Sequence, residues 1–183
     1  MTLGLVALLV AGCGGSGSSG QVPGADSLTQ VSVGSIAPGD VILAPASGDV
    51  ILTITGGSAT NAGKELRLSL AQLESMRTVT ATVYEPFLKR NVTFRGVPLQ
   101  DLLDIAGVPG GFSKIDSAAY NEYAVTLPAT ILRHAGVLLA TRADGETIPL
   151  DKGGPTRVVF TDTHPDTKNE SLWIWSTKVL ALR

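Results

Sequence analysis

From residue 48 onward the chain alternates short apolar runs with polar or glycine-containing breaks. Val50-Ile51-Leu52-Thr53-Ile54-Thr55 is compact and β-branched and stops at Gly56-Gly57, which predicts a strand. Leu66-Arg67-Leu68-Ser69-Leu70 alternates, and Ser69 followed by Gln72 forms a capping box that predicts a short helix to Met76. Thr78 to Tyr84 places Thr at every second position until Tyr84 and reads as a strand, as does Val92-Thr93-Phe94-Arg95. Gly96-Val97-Pro98 then turns into a helix from Leu99 to Ala106, with Leu99, Leu102, Leu103 and Ala106 on one face and Gly107 as its stop.

The second half continues the pattern. Lys114 to Ala119 and Glu122 to Leu127 read as strands around a Tyr120-Asn121 turn. Pro128 to His134 is a short helix, and Val137 to Arg142 a strand closed by the hairpin signal Ala143-Asp144-Gly145-Glu146. Arg157 to Thr161 is a strand, Thr163 to Glu170 a polar loop, and Trp173 to Leu182 the last strand, with Trp173 and Trp175 on one face. Short strands with a few short helices give a mixed-sheet α+β domain over residues 48–183.

The first 47 residues follow a different rule. Leu3 to Ala11 is an apolar run of signal-peptide length, too short to span a bilayer, and ends in Val10-Ala11-Gly12-Cys13. Small residues before a cysteine let a peptidase approach the backbone, and the thiol then accepts a thioether-linked diacylglycerol. The segment resembles a bacterial lipobox, which implies a signal peptide over 1–12 and lipidation at Cys13. Residues 13–47 are Gly-, Ser- and Pro-rich and read as a flexible linker. No Lys or Arg precedes the apolar run, so the expected true start lies upstream. The implied location is the cell envelope, lipid-anchored on the outer side of a membrane, as in a periplasm.

Composition then narrows the chemistry. Of 183 residues, 44% are apolar, enough for a core, and 16% are charged, against about 25% in an ordinary domain. The net charge of -2 and the lack of a basic stripe argue against a nucleic-acid partner. Cys13 is the single cysteine. It excludes an intramolecular disulfide, a cysteine-rich zinc site and any cysteine-ligated cofactor in the body of the domain.

Three stretches, in order, resemble the molybdopterin-binding domain of the sulfite oxidase family. They are Phe94-Arg95-Gly96-Val97-Pro98-Leu99-Gln100-Asp101-Leu102-Leu103, Tyr123-Ala124-Val125-Thr126-Leu127-Pro128, and Gly136 to Ala140 continuing through Asp144-Gly145-Glu146 and Pro149 to Gly153-Gly154-Pro155-Thr156-Arg157-Val158-Val159. The resemblance covers residues 50–183 and implies that fold. It also implies an oxidoreductase holding molybdenum through a pterin dithiolene and one cysteine thiolate. The position of that thiolate falls on Tyr84 or Glu85, and neither is a thiol. Where the family has a Gly-rich phosphate loop with a Lys, this chain has Asp162 to Ser171, with no glycine and several acids. Lys152 stands where the family's histidine would be, Tyr123 matches the tyrosine that faces metal and substrate, and Arg157 matches a framework arginine.

Other chemistry is thinly represented. His134 falls at a helix end, His164 in a surface loop between Asp162 and Asp166, and no Gly-x-Ser-x-Gly elbow is present. The expected cleft therefore lies near Tyr84, Glu85, Arg90, Tyr123, Lys152 and Arg157, with catalytic residues unassigned and no metal. The first expectation is a lipid-anchored binding or accessory domain that has lost the molybdenum cysteine and meets a small-molecule ligand or an envelope protein. No cofactor is expected; the resemblance alone admits molybdopterin. The alternatives are a molybdopterin-dependent oxidoreductase acting outside the cytoplasm, and a structural envelope component.

Overall fold

Two sheets divide the strands of the chain. A computed structural model describes residues 28–60, 63–107 and 112–183, with the side chains of residues 57–64 outside the description. The chain runs β1 (Thr29–Ser32), β2 (Val50–Thr60), β3 (Gly63–Ser69), α1 (Leu70–Glu74), β4 (Thr78–Glu85), β5 (Arg90–Pro98) and α2 (Leu99–Ile105). It continues through β6 (Lys114–Ala119), β7 (Ala124–Pro128), α3 (Ala129–Leu132), β8 (Val137–Ala143), β9 (Glu146–Thr147), β10 (Arg157–Phe160) and β11 (Thr177–Leu182). The first sheet has the order β1-β4-β5-β8-β10, with β9 added to β8, and its pairs are antiparallel. The second has the order β3-β2-β11-β6-β7, in which β11 joins β2 in parallel. The architecture is α+β with mixed sheets and short helices.

Period-two alternation builds the core face of β4. Val79, Ala81, Val83 and Glu85 point inward, while Thr82 and Tyr84 face solvent. On β5, Val92 and Phe94 are buried in the same phase. Gly96 follows at a register shift against β8, and a Cβ there would lie 2.0 Å from the Leu139 carbonyl oxygen, so only glycine allows this approach of strands. The capping box at Ser69 forms, with the Gln72 N–H donating to Ser69 Oγ at 3.2 Å and the Ser69 N–H to Gln72 Oε1 at 2.9 Å. Helix α2 buries Leu99, Leu102, Leu103 and Ile105 against β5 and β8. Glu74 of α1 accepts from Arg142 of β8 at 2.6 and 3.0 Å and clamps that helix to the first sheet. Among the described residues no helix is long and apolar enough to cross a membrane.

Three expectations need correction. The stretch read as linker up to residue 47 contains β1, which pairs with the edge of β4, and Ile42, which is 4% exposed and belongs to the core. The side-chain amide of Gln72 also donates to the Leu43 carbonyl at 2.8 Å, tying that stretch to α1. The last strand begins at Thr177, so Trp173 and Trp175 precede it in an irregular segment. His164 is a buried side chain, 3% exposed, set edge-on against Phe160 and His134. Cys13, the apolar run before it and most of the Gly107–Gly111 loop lie outside the described residues.

Candidate functional site

Glu85 is the last residue of β4 and continues the inward phase of Val79, Ala81 and Val83, so the strand carries a carboxylate into the interior. It is fully buried. Its Oε1 accepts from Arg157 Nη2 at 2.9 Å, and its Oε2 accepts from the backbone N–H of Leu88 in the turn after β4. Arg157, the first residue of β10, is 1% exposed. A buried charge is tolerated only when it is paired, and here each member neutralises the other. Burial pushes the guanidinium below its ordinary range, while the hydrogen bond and charge of Glu85 oppose that shift.

Aromatic rings complete the enclosure. The Arg157 guanidinium carbon lies 4.3 Å from the Trp175 ring centre, 5.1 Å from Phe94 and 5.8 Å from Trp173. The segment carrying the tryptophans is held alongside β10 by backbone hydrogen bonds. The Val158 N–H donates to the Ile174 carbonyl, the Thr177 N–H to Thr156, and the Ser176 N–H to Gly153. Gly153 has a positive φ of 86°, and a Cβ there would lie 2.8 Å from the Trp175 ring, so glycine is what lets the indole settle.

The six residues expected at the cleft are not brought together at one place. Glu85 and Arg157 are in direct contact. Arg90, Lys152 and Arg157 line one pocket of about 230 Å³, where Arg90 also pairs with Asp144 at 2.8 Å. Tyr123 lines a second pocket of about 390 Å³ with Phe87, Asn121, Glu170, Trp173 and Trp175. Tyr84 points to solvent and lines neither. Sequence reasoning missed Phe87, Phe94 and Glu170, and gave Trp173 and Trp175 a strand face they do not have. The usable signal was phase: Phe94 and Glu85 stand on buried positions of paired strands, and a carboxylate in that phase requires a buried cation.

The family model described as an oxidoreductase molybdopterin binding domain matches residues 47–164. The chain belongs to that family. Among solved structures, the sulfane dehydrogenase SoxCD from Paracoccus pantotrophus is similar, with 20% identity and a TM-score of 0.56 over 76% of this chain. At that identity the likeness is one of fold. The match covers 39% of that structure's chain, so the present chain spans well under two thirds of it. No curated protein matches the chain.

The residues of this family member do not fit a thiolate-held molybdenum cofactor. The matched segment contains no cysteine. Of the two positions where the thiolate was expected, Tyr84 faces outward, and Glu85 is an oxygen donor already committed to Arg157 and Leu88. Tyr123 is 44% exposed and donates its hydroxyl to the Ser171 carbonyl at 3.2 Å. Both ring nitrogens of His164 are used inside the protein. Nδ1 accepts from the Asp166 N–H at 3.0 Å, and Nε2 lies 3.2 Å from the Ile131 carbonyl, which places the proton on Nε2. Among the described residues no group of three or more His, Cys, Asp or Glu stands together to hold a metal ion.

Proposed function

We propose that this chain is a lipid-anchored accessory domain on the outer side of a membrane, keeping the molybdopterin-domain fold while its cleft serves a small ligand or a partner in place of molybdenum. The observation that carries the reading is the Glu85–Arg157 pair. A buried carboxylate stands at one of the two positions, Tyr84 or Glu85, where the thiolate was expected, and it is paired within the protein. Glu85 pairs with Arg157 through Nη2, while the buried Arg157 Nε has no partner among the described residues. The lipobox-like Val10-Ala11-Gly12-Cys13 supports the anchor, and the Gly/Ser-rich residues after it support a tether.

The test is release of pterin. Protein made in a host that assembles molybdenum cofactor is denatured in acid and its supernatant assayed for oxidised pterin fluorescence. The account expects none above a blank preparation. Pterin in stoichiometric amount would establish the oxidoreductase reading in its place.

A further inference from the structure

The second pocket carries chemistry that the cofactor question leaves unused. Phe87 from the β4–β5 turn, Tyr123 from the β6–β7 turn, and Trp173 and Trp175 from the segment before β11 give it four aromatic rings. Glu170 is its single charged lining residue, and neither Lys nor Arg lines it. Phe87 and Trp175 meet at 5.2 Å with their planes 75° apart, so two of the rings stand as adjoining walls. The hydroxyl of Tyr123 is fixed to the Ser171 carbonyl, one residue from Glu170, and its N–H to Asn121 Oδ1 at 3.2 Å.

This combination selects for one class of ligand. Ring faces present negative potential, and Glu170 adds a formal negative charge, so an anion is repelled. A compact metal ion or a primary ammonium would give up hydration for rings that cannot replace it. A methylated ammonium is weakly hydrated and covers its charge with apolar surface, so it gains both contact area on the rings and attraction to the carboxylate. The indoles already accept one such contact, since Arg157 lies against both, with its own charge balanced by Glu85. The volume of about 390 Å³ suits a small molecule.

We propose that this pocket binds a small organic cation carrying a quaternary or tertiary methylated ammonium group. The inference rests on the reading of the cleft as a ligand site free of molybdenum cofactor. Trp173 and Trp175 are the only tryptophans in the chain, so intrinsic fluorescence reports on the pocket directly. The full-length protein, first assayed for pterin, is titrated with choline, with tetramethylammonium, and with the neutral isostere of choline in which carbon replaces nitrogen. The expected result is a saturable change with both cations and binding of the isostere weaker by about tenfold. Glu170→Gln and Phe87→Leu should each weaken choline by roughly fivefold, and Glu170→Gln, at an exposed position, should do so without shifting the melting temperature. Equal binding of the neutral isostere, or no saturable change with either cation on pterin-free protein, overturns the proposal. Pterin in the starting protein instead overturns the functional reading on which it rests.

Discussion

A carboxylate at the inner end of β4 and a guanidinium at the start of β10 form a contact that neither could leave without exposing the other. Removing one partner of such a pair leaves an uncompensated buried charge and costs about 3–5 kcal/mol. Glu85→Ala and Arg157→Met should each show a loss of that size in urea unfolding. The double variant Glu85→Leu/Arg157→Met should lose distinctly less than the sum, because no charge remains stranded. Equal and additive losses would mean that the pair does not act as a unit. Gly96 is a second sensitive residue. Gly96→Ala drives a methyl into the Leu139 carbonyl and should destabilise by about 1–3 kcal/mol in the same assay.

At the scale of elements, legibility followed burial. Strands with one buried face, such as β4 and β5, were readable from alternation, and the Ser69–Gln72 capping box marked the start of α1 because both hydrogen bonds are local. Strand β1 was not readable. Thr29, Gln30 and Val31 are exposed, so no apolar phase marks them, and their strand conformation comes from the open edge of β4. The Trp173-Ile174-Trp175 alternation misled for the opposite reason. The sequence alternates, but Trp173 and Ile174 are both buried, and the backbone bonds to residues Gly153 to Val158, a pairing over a distance that has no local signal. The same limit hid the pocket, whose rings come from three separate turns and loops.

His164 gives the 161–176 loop a pH dependence. Burial is the main cause that holds its imidazole below the usual value of 6.5, with His134 adding to the effect and the Ile131 and Asp166 interactions opposing it. Between the two values the unfolded chain binds a proton that the folded chain refuses. Stability is therefore complete above about pH 6.5 and falls as pH drops through the lowered native value. Thermal melts taken between about pH 7 and 5 should show this decline. His164→Gln should be less stable at neutral pH but should flatten the slope; an unchanged slope would assign the dependence elsewhere.

For the whole molecule, the two sheets extend beyond the segment matched by the family model, with β1 before it and β11 after it. Deleting residues 1–47 should cost more stability than deleting 1–27, because only the longer deletion removes β1 and Ile42. Burial of that isoleucine alone is worth roughly 1.5–3 kcal/mol. If the anchor is as proposed, Cys13→Ala should move the protein from the membrane pellet to the soluble fraction, and continued pelleting would contradict it.

In the proposed function the chain carries the internal Glu85–Arg157 pair and holds no molybdenum through a thiolate. The most direct test is the molybdenum content, by mass spectrometry of the metal, of full-length protein purified from a host that makes the cofactor. The account predicts background molybdenum per chain, whereas one molybdenum per chain would contradict it.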